Sequence, residues 1–192
     1  MALKIWQFVT VVLASLLLGT TFAHLLEMPA KMKVSGPLWL TFQHNLYGAF
    51  ATAGAPVELG AIATAAILAY LTRRNRRVFF LTAMAALLLM TAFAVVWVGL
   101  IRPVNVQTAG WTTETIPADW AEWRAQWEYS HTARFVLHFT AFCALLLSIL
   151  SGPLLDSRKA QGGAHEVRVM SSGRARVAAP YRQSGGGSNA TR

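Results

Sequence analysis

Hydrophobic positions in this chain come in four long blocks rather than in amphipathic stripes. Ile5 to Leu26, Ala49 to Leu71, Val78 to Ile101 and Phe135 to Leu155 are almost unbroken runs of aliphatic, aromatic and small residues. Each approaches or exceeds the roughly 20 residues that a helix needs to cross the hydrocarbon core of a bilayer. A segment in lipid must satisfy its own backbone hydrogen bonds, and a helix does so within itself. The pattern therefore predicts an all-α integral membrane protein, a four-helix bundle with spans at about residues 5–26, 50–72, 78–101 and 132–155.

Breakers set the expected boundaries between these elements. Pro29 should end the first helix. Ser35-Gly36-Pro37 has the form of a cap and first turn, opening a short external helix from Leu38 to Phe50 whose Trp39, Phe42 and Tyr47 suit the aromatic belt of a membrane. Gly54 and Pro56 should start or kink the second span, and Arg102-Pro103 should close the third. Pro117 and Asp119 are start signals for a fourth helix reading from residue 118 to 150. Beyond Gly152-Pro153 the chain turns to Gly, Ser, Ala and Arg, with Tyr181 as its one aromatic residue. Residues 1–156 thus read as the four-span domain. Residues 157–192 read as a disordered, basic tail with too little apolar surface to fold. No internal repeat is visible.

Composition agrees with the blocks: 55% of residues are hydrophobic and only 13% charged, where a soluble domain carries roughly a quarter charged residues. The net charge of +9 could suggest nucleic acid, but its distribution reads as topology. Arg73, Arg74, Arg76 and Arg77 fill the link between the second and third spans, and most remaining cations lie in the tail. The stretch from Arg102 to Arg134 carries Arg102, Arg124 and Arg134 against Glu114, Asp119, Glu122 and Glu128. Positive charge collects on the cytoplasmic side, so a multi-pass protein of the inner (cytoplasmic) membrane with both termini cytoplasmic is expected, with no nucleic-acid partner. Lys4, the apolar run and Thr21-Phe22-Ala23 imitate a signal peptide, but the run is long for one and His24-Leu25-Leu26-Glu27 keeps its helical phase. It is read as a retained span. Cys143, the single cysteine, lies mid-span and reads as a small packing residue.

Candidate chemistry lies on one face of the fourth helix. Trp120, Trp123, Trp127, His131, Arg134 and His138 follow one another at steps of three and four, which keeps them within roughly a quarter-turn of one another. Ionisable groups at membrane depth are costly unless they face a partner or water, so they mark function. With 1.5 Å of rise per residue, Glu58 and His138 each come out about 22 Å from the inner edge. His131 and His24 lie near the opposite interface, with Arg134 between. A lone Glu58 in hydrocarbon would be protonated or paired, and Arg134 and His138 are its available partners.

Several chemistries fit this cluster. His24 and Glu27, three apart, could be two ligands of one metal, completed by Glu58 and His131 or His138. Histidines paired across spans could hold a haem. A Glu58–Arg134 pair could be purely structural. The tryptophans could serve as interfacial anchors, or as an aromatic wall for a flat, apolar substrate above a histidine and an arginine.

Pro103-Val104-Asn105 after the third span, followed by Trp123, Trp127 and His131-Thr132-Ala133-Arg134 entering the fourth, resembles the pattern of the anthrone oxygenase-like family. These are small four-span proteins long described as a domain of unknown function. The likeness covers roughly residues 5 to 155, and its specific part is the Pro-x-Asn and Trp…His-x-x-Arg pieces of the second half. It implies a cofactor-independent oxygenase that turns an anthrone into an anthraquinone with molecular oxygen. Asn105, His131 and Arg134 would then be catalytic, with Trp123 and Trp127 lining the site. Trp120, Glu58 and His138 join as substrate-binding candidates by the stripe and depth argument.

The implied chemistry is reasonable on these residues. His131 or His138 could remove a proton from an acidic methylene, and Arg134 or Asn105 could stabilise the oxyanion that develops. The rival reading is a non-catalytic membrane subunit whose polar cluster only ties helices together. Packing needs one pair, whereas catalysis needs an additional unpaired histidine beside an open cavity.

Overall fold

The computed structural model describes the backbone of residues 2–177, and the surroundings of side chains for residues 2–50 and 52–151. Within these residues every regular element is helical. Four helices are long and apolar enough to cross a membrane, over Ala2–Lys31, Thr52–Thr72, Arg76–Thr108 and Trp120–Ser151. The protein is an integral membrane four-helix bundle.

Helix α1 is Ala2–Lys31. Its hydroxyls sit in an apolar setting by bonding back to the carbonyl four residues earlier, as Thr10 does to Trp6 at 2.7 Å and Thr21 to Leu17 at 3.0 Å. Pro29, expected to end it, lies inside the helix, which stops two residues later at Lys31, where the 3₁₀-type bond from Lys33 N–H to the Ala30 carbonyl at 3.0 Å closes the turn.

Helix α2 is Gly36–Thr72, one continuous helix of 37 residues. It departs from the expected pair of a short external helix and a separate span. Gly54 and Pro56 do not break it, because a proline costs the helix its own N–H bond while neighbouring helices and hydroxyls compensate within a membrane bundle. Gly36 at its start is required by packing: a Cβ there would stand 2.9 Å from the Trp120 ring. Trp39, expected at the interface, is fully buried, since its N–H reaches an acceptor inside the bundle.

Helix α3 spans Arg76–Thr108 and is capped by Asn75, whose side chain accepts from the Val78 N–H at 3.4 Å. Arg102-Pro103 does not close it. The ten residues Ala92–Ile101 are wound as a π-helix, in which the Arg102 N–H bonds to the carbonyl of Trp97, five residues back. The wider turn relieves the clash between a proline ring and the carbonyl four residues earlier, so a regular turn resumes over Arg102–Thr108.

Helix α4 starts at Trp120, whose N–H bonds to the Pro117 carbonyl at 3.2 Å, and runs to Val177. Its backbone stays helical over residues 157–177, where the composition suggests disorder. Arg158, Lys159, Ala160 and Gln161 are good helix formers that extend an existing helix without a new nucleation cost. Residues 178–192 of the expected tail lie outside the described residues. Packing divides the chain into residues 1–152 and 153–192, and the bundle is the first of these units.

The two halves of the bundle pack differently. Around the α2–α3 link the core is rich in alanine, with Ala14, Ala61, Ala65, Ala85, Ala141 and Ala144 buried among leucines. Small residues let helix backbones approach closely. Towards the other end the core is Trp39, Val96, Ile101, Val104, Trp111 and Trp127. Ile101 and Trp127 of this cluster also line a cavity.

Candidate functional site

The cavity has a volume of about 210 Å³ and is walled by all four helices. Thr21 and His24 come from α1, Gln43, Tyr47, Phe50 and Gly54 from α2, Trp97, Ile101 and Asn105 from α3, and Trp127, His131, Arg134 and His138 from α4. The α2 positions 43, 47, 50 and 54 recur at steps of four, three and four, the spacing of one helical face. A volume of about 150 Å³ already accommodates benzene, so the space suits a small multi-ring molecule.

The floor is an ion-pair cluster. Arg134 and His138 lie four residues apart on α4 and so reach the same partner. The fully buried Glu58 accepts from Arg134 Nη2 on one oxygen and lies 3.1 Å from His138 Nε2 on the other. His138 Nδ1 is 3.5 Å from the hydroxyl of Thr21. Three helices are therefore tied at one carboxylate, as depth alone suggests. Glu58 itself stands behind the cavity wall, holding the two α4 side chains that form it.

Above the floor sits a group of rings. His24 and His131 approach with centroids 4.1 Å apart. Trp127 lies 4.1 Å from His131 and meets His24 nearly edge-on at 5.1 Å. The Trp127 indole N–H donates to Asn105 Oδ1 at 2.9 Å, which leaves the Asn105 amide nitrogen available. His138 is committed to Glu58, whereas Nδ1 of His131 is buried with no hydrogen-bond partner. Nε of Arg134 and Nδ1 of His24 are likewise unpartnered.

The roof is built around Lys31 and Glu128, which the sequence pattern does not single out, together with Glu27, Trp39 and Tyr47. Lys31 is 4% exposed and lies 3.2 Å from Glu128 and 3.4 Å from Glu27. Its ammonium also stands 4.5 Å from the centre of the Trp127 ring and 4.9 Å from that of Tyr47, a cation–π arrangement. Glu128 also lies 3.4 Å from the Trp39 indole nitrogen, which donates to it. The Tyr47 hydroxyl donates to Glu27 at 2.6 Å. Burial, then the bond to Glu27, holds that phenol well above its ordinary range, so Tyr47 serves as a donor.

Of the candidates from sequence, Asn105, Trp127, His131, Arg134, His138 and His24 stand in the cavity wall. Trp120 and Trp123 do not, among the described residues. Trp120 packs against Trp39 and the Gly36 turn and carries the Arg124 guanidinium at 4.5 Å. Trp123 donates to Asp119 at 3.1 Å and meets Trp111 edge-on. Both serve the helix ends. Lys31 had a signal in the sequence, as the i+4 partner of Glu27. Gln43 had none, because its place in the wall follows from the unbroken α2.

The His24–Glu27 pair does not fit a metal. Nδ1 of His24 and the Glu27 carboxylate are 4.0 Å apart, and that carboxylate is engaged by Tyr47 and Lys31, whose ammonium would oppose a cation. Among the described residues no group of three or more His, Cys, Asp or Glu side chains is arranged to hold a metal ion. The His24 and His131 rings are too close together to admit a porphyrin between them. Comparison with protein-family models, curated proteins and solved structures finds no match for this chain.

Proposed function

We propose that this membrane protein is an oxygenase that oxidises a hydroxyaromatic substrate without a cofactor, in the manner of the anthrone oxygenases it resembles. One observation carries the reading. A buried histidine without a partner, His131, stands in the wall of a cavity beside an arginine and an asparagine with free N–H groups. An unpartnered buried polar group is costly, and a packing role accounts for Glu58, Arg134 and His138 but not for His131.

On this reading His131 removes a proton from the acidic methylene of an anthrone, and the electron pair passes into the ring carbonyl as an enolate. Arg134 Nε and the Asn105 amide hold that oxygen in a water-poor site. The carbanion centre then reacts with oxygen to form a C–O bond, and the hydroperoxide takes up the proton from His131. Loss of the second C–H proton breaks the O–O bond, hydroxide leaves, and with that proton it becomes water. The balance is one anthrone and one O₂ to one anthraquinone and one water. Trp97 and Trp127 supply flat apolar walls. The positive charge of the α2–α3 link and the tail supports an inner-membrane protein with both termini cytoplasmic.

The test is turnover of anthrone by the purified protein, followed by oxygen uptake and by anthraquinone absorbance. The reading expects one O₂ per anthraquinone and no hydrogen peroxide. Anthrone oxidation no faster than in protein-free micelles overturns it. The floor cluster alone would favour a non-catalytic subunit, since one carboxylate there joins α1, α2 and α4. That reading leaves the unpartnered His131 unexplained.

A further inference from the structure

The free polar groups of the cavity have a common character. Arg134 Nε and Gln43 Nε2 are buried and unpartnered, and Asn105 has its oxygen occupied by Trp127, which leaves its amide N–H₂. These are three donors on three different helices, carried by side chains that line one space. No aspartate or glutamate stands among the lining residues. A site of this kind repels cations and leaves a pure hydrocarbon with its donors unsatisfied. It rewards acceptor oxygens.

We propose that Gln43 is a binding residue of the site. Its amide donates to an oxygen of the ligand, separate from the oxygen held by Arg134 and Asn105, and this favours hydroxyanthrones and quinones, which carry a second oxygen acceptor, over anthrone itself, which binds through one. The inference rests on the proposed aromatic site and deepens it by naming the ligand class. Gln43 stands one turn before Tyr47 on the cavity face of α2, in the upper part of the wall, whereas Arg134 lies in the floor beside Glu58. The two donors therefore meet the ligand at different places. Gln43 makes no bond within the protein through Nε2, so its replacement by methionine strands no partner and keeps the length of the side chain.

The test uses two tricyclic probes of the same shape, anthraquinone with two carbonyl oxygens and anthracene with none. Trp97 and Trp127 line the cavity, so saturable quenching of tryptophan fluorescence reports binding in the purified full-length protein. Loss of one hydrogen bond should raise the Kd for anthraquinone about tenfold in Gln43→Met and leave the Kd for anthracene unchanged, at an unaltered thermal midpoint. Unchanged anthraquinone binding in Gln43→Met overturns the inference. So does an equal loss for both probes, which would make Gln43 a shaping residue only. If the unmodified protein binds neither probe, the aromatic site itself falls. If it binds anthraquinone through Gln43 yet does not oxidise anthrone, the binding role stands and the catalytic reading is lost.

Discussion

Glu58 and Arg134 show how a charged pair can be tolerated in a membrane helix bundle. The carboxylate is buried, accepts from the guanidinium and is flanked by His138 at 3.1 Å. Removing one member leaves the other charged and unpaired, which costs about 3–5 kcal/mol for a buried pair. Arg134→Ala should therefore lower the thermal midpoint sharply, and adding Glu58→Gln should recover much of the loss. If the single change leaves the midpoint unmoved, the pair contributes no stability. Lys31 has a comparable place in the roof between Glu128 and Glu27. Lys31→Met should destabilise the protein and disturb the emission of Trp127, whose ring the ammonium covers. Unchanged emission would mean that the roof and the cavity wall are not coupled. His131 differs from these in standing in no ion pair, with its Nδ1 bonded to nothing.

At the level of helices, the number of spans and the acidic–basic floor were legible in the sequence. Block length fixed the first. Helical rise placed Glu58 and His138 at one depth, and the four-residue step from Arg134 to His138 put both within reach of it. Proline did not mark the helix ends: Pro29 and Pro103 close no helix and Pro56 starts none, Pro103 because the turn before it is π-wound, and no local pattern announces a ten-residue π stretch. The continuity of α2 in turn brings Gln43 and Tyr47 to the cavity, which a separate external helix would not. Of the three tryptophans of the stripe, which as a pattern suit either interfacial anchors or an aromatic wall, only Trp127 stands in the cavity wall, since the start of α2 covers Trp120. That close approach gives an element-scale prediction. Gly36→Leu drives a side chain into the Trp120 ring, 2.9 Å from the Cβ position. It should cost about 1–3 kcal/mol by overpacking, read as a lower thermal midpoint. A neutral result would mean that α2 can slide away from α4 without penalty.

For the whole molecule, the exposed apolar surface, including Phe8, Phe80, Leu87 and Leu150, is that of a protein solvated by lipid. The positive link between α2 and α3 predicts that a reporter fused after Arg192 is cytoplasmic, and a periplasmic reporter would reverse the assigned topology. The bundle is packed with alanines at one end and with aromatic rings at the other, and the aromatic end is where an unpartnered histidine, free donors and a cavity meet. His131→Gln removes the base while leaving no bonded partner behind, so the protein should keep its thermal midpoint. The central claim is tested most directly by the kcat for anthrone oxidation in this variant beside the unmodified protein, both in the same lipid vesicles. A general base contributes about 10²–10⁴-fold, and the kcat should fall by that factor with one O₂ still consumed per anthraquinone formed. Equal kcat values in the two folded proteins would contradict the assignment of His131 and, with it, the account of the cavity as a catalytic site.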